Sequence, residues 1–149
     1  MPVTSDRGLC GSTNSGVIRE LKSYLLDKNH KNIGLFVIGE KGAAGCVRPF
    51  KHILIEGVQK LSHPVNFPLS MAVSQKMIGL SSDMDKIVIF YNKFKSAIAS
   101  ELQKCELLSK KKFFSNMKYM KLYQTKHPDA RTTVHGLYDL YVSSNLYHA

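Results

Sequence analysis

With 149 residues, 44% of them hydrophobic, the sequence has the length of one domain and the composition of a folded globular chain, not of a disordered one. It contains no run of about 18 or more apolar residues, which excludes a membrane-spanning helix. Lys and Arg outnumber Asp and Glu by 21 to 11, and the formal net charge of +10 calls for an anionic partner: nucleic acid, an anionic membrane surface or an acidic protein surface.

Met1-Pro2-Val3 runs straight into the polar, glycine-punctuated stretch Thr4–Gly16, so a signal or transit peptide has no room and the chain is expected to start late. An amphipathic helix follows over about Ser15 to Lys28, with Val17, Leu21, Tyr24 and Leu25 at i, i+4, i+7 and i+8. A loop entering a helix N-terminus is where phosphate-binding proteins hold their ligand, because unpaired N–H groups and the helix dipole both point there. Gly11 and Gly16 have the separation of the two glycines in a P-loop, but Val17 and Ile18 stand where Lys and Ser/Thr are required. Two aliphatic side chains supply neither charge nor a metal ligand. Gly8-Leu9-Cys10-Gly11 likewise lacks the closely paired glycines of a dinucleotide fingerprint. Helix capping by Ser12, Thr13, Asn14 or Ser15, a protein contact and a bound phosphate remain as readings of the loop, in falling order.

Beyond a turn at Asn29–Asn32, Ile33–Ile38 has the length and β-branching of a buried strand. Gly39–Gly45 is a second strand-to-helix glycine turn, expected to serve tight chain reversal, and a short helix should run to about Arg48, where Pro49 limits it. His52–Val58 is a third strand. The prolines of His63–Pro68 predict a loop without regular structure. Leu69, Val73, Met77 and Leu80 then form the stripe of a helix lying on a sheet, and Met71, Met77 and Met84 are expected in ordinary core, not in a methionine-lined groove. Lys86–Tyr91 is the strongest strand. Ser96–Leu102 is ambiguous and is read as the return strand of an antiparallel hairpin.

Between Ser109 and Lys126, Lys110, Lys111, Lys112, Lys118, Lys121 and Lys126 alternate with Phe113, Phe114, Tyr119, Met120 and Tyr123. Such interleaving can grip single-stranded nucleic acid, but a solvated connector whose aromatics cover the sheet is the preferred reading. A terminal helix opens at His127-Pro128-Asp129 and carries Val134, Leu137, Tyr138, Tyr141, Val142 and Leu146 on a broad apolar face. Its pattern is still running at Ala149, an end expected not to be natural. Cys10, Cys46 and Cys105 have no zinc or disulfide spacing and read as buried free thiols of a reducing compartment, with nucleophilic use disfavoured. The alternation of β and α units predicts an α/β fold, a Rossmann-like and mostly parallel sheet with an antiparallel hairpin, flanked by helices.

Ser5-Asp6-Arg7-Gly8-Leu9-Cys10-Gly11 with Asn14-Ser15, Val37-Ile38-Gly39-Glu40-Lys41-Gly42, and Ile89–Ser96 occur in the order found in the gamma subunit of the F-type ATP synthase, which the chain closely resembles. Tyr138–Ala149 is similar to the start of that family's long C-terminal helix. The resemblance implies a single α/β domain over residues 1–149, lacking the long N-terminal helix, most of the first strand and most of the C-terminal helix, so that the sheet would be short by one member. It implies a non-catalytic central-stalk (rotor) subunit, with ATP made elsewhere, on beta. The implied partners are the alpha and beta subunits of the catalytic head, the small stalk subunits (epsilon/delta) and the membrane c ring. Asp6, Arg7, Gly8, Leu9, Cys10, Gly11 and Asn14 would form a subunit contact beneath the catalytic ring. No cofactor, metal or nucleic acid is implied. The expected location is peripheral, on the matrix side of the mitochondrial inner membrane, or on a bacterial cytoplasmic membrane face. The runner-up is a basic α/β nucleic-acid-binding domain; an enzyme built on the glycine turns lacks paired carboxylates, a nucleophile triad or a metal cluster nearby.

Overall fold

The computed structural model describes residues 1–8, 12–26, 32–61, 64–96, 99–116 and 129–149, the side chains of residues 130 and 131 excepted. Its helices are α1 (Thr13–Leu26), α2 (Glu40–Phe50), α3 (Phe67–Leu80), α4 (Lys110–Ser115) and α5 (Ala130–His148). Its strands are β1 (Leu35–Ile38), β2 (Leu54–Val58), β3 (Lys86–Ser96) and β4 (Ala99–Leu108). Two compact units divide the chain: Met1–Pro64, Val88–Glu106 and Ala149 form the first, Val65–Ile87 and Leu107–His148 the second.

In the first unit β1 and β2 pair in parallel, and β3 and β4 form the expected antiparallel hairpin. What joins the pairs is the N-terminal segment. Pro2 bridges Phe90 of β3 and Val3 bridges Ile38 of β1, both in parallel sense. Val3 N–H donates to Phe90 O at 2.8 Å, Thr4 N–H to Ile38 O at 3.0 Å, Ile38 N–H to Pro2 O at 3.0 Å and Phe90 N–H to Met1 O at 2.9 Å. The place that was expected to lack a strand is thus filled by residues 1–4, because the neighbouring strands offer N–H and C=O groups that cannot be buried unpaired. Hydrogen bonding runs from β2 through β1 and this segment to β3 and β4.

The core of this unit follows from periodicity. Val17, Leu21 and Leu25 of α1 are buried, and all four residues of β1 are buried, as a strand covered on both faces requires. Each such aliphatic side chain contributes about 1.5–3 kcal/mol of burial. Cys46 and Phe50 of α2 join them with Phe90, whose ring meets Tyr24 edge-on at 5.2 Å. Helix α2 does not stop before Pro49 but runs through it to Phe50. The proline falls in the last turn, and the buried Phe50 ring holds the helix end in the core.

In the second unit Asn66 caps α3 by accepting the Leu69 N–H, and Pro68 sits in the first turn. The two prolines therefore do not forbid structure: one of them opens a helix, where its fixed φ fits and no N–H is missed. The packed partner of α3 is the helix α5, not a sheet. The shared face is partly polar. Val73 and Met77 are buried as the stripe predicts, Leu80 is exposed, and Ser70, Ser74 and Ser143 are buried instead. Ser74 Oγ and Ser143 Oγ lie 2.6 Å apart, and Ser70 Oγ donates to Ser143 O at 3.2 Å. On α5, Val134, Tyr138, Val142 and Leu146 are buried at strict i+4 spacing, whereas Leu137 and Tyr141 of the expected broad face are exposed.

Lys110–Ser115, read as part of a solvated connector, is helical: Ser109 accepts the Lys112 N–H as N-cap. Phe113 and Phe114 turn onto α5, with Phe113 5.0 Å from Tyr138 and Phe114 stacked on His135 at 4.2 Å. They cover a helix where a sheet was expected. Lys118, Tyr119, Met120, Lys121, Tyr123 and Lys126 lie outside the described residues.

Candidate interaction site at the carboxyl edge of the sheet

Because residues 1–4, β1, β2 and β3 are parallel, their carboxyl ends share one edge of the first unit. Ligands of open α/β sheets bind at such edges, with the helix N-termini that follow the strands supplying the donors. Helix α2 begins there directly after Gly39 and has no side-chain cap of its own. Its first N–H groups are nevertheless all accounted for. Glu40 N–H donates to Asp6 Oδ1 at 2.8 Å, Lys41 N–H to Ser5 O at 3.3 Å and Gly42 N–H to Thr4 Oγ1 at 2.8 Å. Ala43 N–H makes the first bond within the helix, to Gly39 O. Residues 4–6 occupy the position a phosphate takes in a nucleotide site, and the Asp6 carboxylate meets the positive end of the helix dipole.

The second glycine turn is built around this contact. Gly39 has φ +92°, and a Cβ there would stand 2.1 Å from Thr4 O; at Gly42 it would stand 2.6 Å from Thr4 Oγ1. The turn does more than reverse the chain: its glycines make room for Thr4. The other Asp6 oxygen, Oδ2, accepts the Leu61 N–H at 3.2 Å, just after Lys60, whose φ of +55° is the left-handed conformation that a lysine rarely adopts.

Asn14 was a cap candidate for α1, but its side chain reaches out of the helix. Its Oδ1 accepts the Ser5 N–H at 3.0 Å, and its Nδ2 donates to Ser5 Oγ at 2.9 Å and Arg7 O at 3.4 Å. Asn92, at the end of the buried part of β3, donates from Nδ2 to Thr13 O at 2.7 Å. Of the residues singled out from sequence, Asp6 and Asn14 are brought together as ties to the scaffold, while Arg7 and Gly8 stand exposed beyond them. Leu9, Cys10 and Gly11 lie outside the described residues, and with Gly11 half of the failed P-loop spacing. Thr4 and Asn92 were missed. The available signal was Gly39-Glu40-Lys41-Gly42 itself, a helix start with no Ser, Thr, Asp or Asn to cap it, which demands acceptors from elsewhere in the chain.

Among the described residues, nucleophilic thiol chemistry has no support in the geometry. Cys46 is fully buried and Cys105 half-buried, and burial pushes both thiols up, away from the reactive thiolate. Cys10 lies outside the described residues. Among the described residues no three His, Cys, Asp or Glu side chains gather into a metal-ligand group, and no helix is long and apolar enough to cross a membrane.

Fold and edge together define an α/β protein whose first unit has its exposed sheet end closed by its own chain where related architectures hold a phosphate. A family model described as ATP synthase matches residues 1–149, and the chain belongs to the ATP synthase gamma family. It is similar to the ATP synthase gamma chain of Rickettsia canadensis (strain McKiel), 29% identical over 151 residues, an alignment covering 99% of this chain and 51% of that one. Among solved structures it is similar to a chain of the Tetrahymena thermophila mitochondrial ATP synthase central stalk and c ring, with TM-score 0.88, 34% identity, and coverage of 99% of this chain and 65% of that chain. A chain of the Euglena gracilis mitochondrial ATP synthase rotor shares the fold, with TM-score 0.77, 17% identity, and coverage of 99% and 58%. The chain spans about half the length of the curated relatives it matches.

Proposed function

We propose that this chain is the α/β domain of a central-stalk (rotor) subunit of a proton-translocating F-type ATP synthase, coupling rotation of the membrane c ring to ATP synthesis on the alpha/beta hexamer. It carries no chemistry of its own; ATP is made on other subunits. Its partners are the alpha and beta subunits, the small stalk subunits (epsilon/delta) and the c ring. Its place is peripheral to a membrane, on the matrix side of the mitochondrial inner membrane; membership in a family with both mitochondrial and bacterial relatives supports the membrane association.

Within that role the segment Asp6–Gly11, with Asn14, is the subunit contact. The observation that carries this reading is the filled N-terminus of α2, where Thr4, Ser5 and Asp6 take its donors and present Arg7 and Gly8 outward from a braced base. A loop fixed in this manner offers a partner a surface already ordered, so little conformational entropy opposes binding.

The test is Arg7→Ala in the full-length subunit, reconstituted with its ATP synthase partners. Proton-driven ATP synthesis or assembly should fall about ten-fold, as for an arginine at the centre of an interface. Thermal melting of the free chain should stay unchanged. An unfolded variant would make Arg7 structural, and full coupling in a folded variant would remove the contact assignment.

A further inference from the structure

In the second unit α3 and α5 meet along a face with hydroxyls at its centre: Ser70 is 4% exposed, and Ser74 and Ser143 are fully buried. Phe67 meets Tyr147 edge-on at 5.8 Å, while Ser74, further along α3, meets Ser143, further back along α5, so the two helices run antiparallel. Ser74 Oγ lies 2.8 Å from Met71 O, Ser143 Oγ 2.6 Å from Asp139 O, and the two Oγ atoms 2.6 Å from each other. Two hydroxyls carry two protons, and these are three contacts. If both protons stayed within their own helices, two oxygens would face each other through their lone pairs, which repel. One proton therefore crosses from helix to helix, and the carbonyl it leaves keeps its ordinary helical bond. Ser70 adds a second tie, its Oγ donating to Ser143 O at 3.2 Å.

We propose that the Ser70–Ser74–Ser143 cluster is a register lock that fixes α5 at one axial position on α3, and that Ser74 and Ser143 are positioning residues for the rotation the subunit transmits. This rests on the reading of the chain as a rotor subunit. Apolar burial is non-directional and does not by itself select a register. Val134, Tyr138, Val142 and Leu146 repeat every four residues, so a slide of one turn, about 5.4 Å, sets each on the place of the next and keeps the stripe apolar. The residues one turn from Ser143 are Asp139 and Tyr147. A slide in one sense brings the Asp139 carboxylate to the serines and takes it from Lys110, its partner at 2.9 Å; a buried carboxylate without its cation is costly. A slide in the other sense forces a tyrosine ring into the space of a hydroxymethyl group. Asp139 also joins the lock to α4: its carbonyl accepts Ser143 Oγ, and its carboxylate holds Lys110. Force along α5 thus meets a fixed point on α3 as well as on α4.

The experiment places spin labels at Ala72 and Thr133, both exposed and well separated along the helix axes, in the full-length subunit. Their distance is read by pulsed electron resonance, beside proton-driven ATP synthesis after reconstitution with the partner subunits. The wild type should give one narrow distance. Ser74→Ala with Ser143→Ala should add a second distance displaced by about 5 Å, one helical turn, and lower synthesis about three-fold. Ser74→Ala alone, which leaves the Ser143 hydroxyl to Asp139 O, should add the same second distance while the melting temperature falls by less than about 4 °C; it decides the matter if the double variant does not fold. A lowered melting temperature with a single, unshifted distance makes the serines merely structural and overturns the lock. A second distance with undiminished synthesis upholds the lock and overturns its part in transmitting rotation. A wild-type subunit that fails to restore synthesis overturns the rotor reading instead, and the distances still decide the lock.

Discussion

Asp6 divides its two carboxylate oxygens between two backbone donors that belong to different parts of the chain, Glu40 N–H at the start of α2 and Leu61 N–H after β2. An N-cap contact of this kind is worth about 1–2 kcal/mol, and the charge on the helix dipole adds a few tenths more. Asp6→Ala should therefore lower stability by about 2 kcal/mol, read as a fall in the urea midpoint with unchanged slope. Asp6→Asn should lie between, since an amide offers one acceptor oxygen and turns an N–H₂ toward the other donor. A null effect for both would show the cap to be replaceable by water. At this scale the sequence was informative where chemistry is strict. Val17 and Ile18 exclude a P-loop lysine and hydroxyl whatever the fold does. It was silent on Thr4 and Asn92, whose partners lie tens of residues away: 38 residues separate Thr4 from Gly42, 79 separate Asn92 from Thr13. No local pattern encodes a cap delivered across a sheet.

Elements were legible when their burial was regular. Helix α1 and strands β1 and β3 follow from apolar spacing because each faces one continuous core. Helix α3 was legible as a helix but not in its partner. Its buried face includes Ser70 and Ser74, which a hydrophobic stripe does not count, and their hydroxyls are satisfied only by Ser143 of α5 and by carbonyls. The same helix pair holds Tyr138, 1% exposed, with its hydroxyl donating to Leu108 O at 2.9 Å. Burial, with Asp139 and Tyr141 nearby, raises its pKa from 10.0 to about 12. The sign follows from the neutral form being the protonated one. Between those values the unfolded chain releases a proton that the folded chain retains, so stability is complete below pH 10 and is lost as pH rises toward 12. Tyr138→Phe should cost about 1 kcal/mol at neutral pH, through the Leu108 carbonyl left without its donor. Denaturation series across the alkaline range should show the wild type losing its advantage over the variant above pH 10; a constant difference would mean that Tyr138 ionises freely in the fold.

For the molecule as a whole, the net charge of +10 is the property most open to misreading. Long-range attraction makes any polyanion, ATP included, gather weakly at such a protein. Specific nucleotide binding needs more: directed donors at a helix N-terminus. At α2 those donors are taken by Asp6, Ser5 and Thr4, so a triphosphate could enter only by displacing residues 4–6, and with them the segment that bridges β1 to β3. Competition of that kind would cost the sheet its central connection as well as the caps. Titration of the full-length chain with ATP should accordingly give only shallow, non-saturating heat at low salt. That heat should disappear near 0.15 M salt, where the screening length falls to about 8 Å. Saturable micromolar binding that survives salt would show that the edge opens to a nucleotide, and would reverse the assignment of this domain to contact instead of catalysis. The same salt series with single-stranded RNA separates diffuse attraction from phosphate-specific pairing, because only the latter gives a steep linear fall of log affinity with log salt.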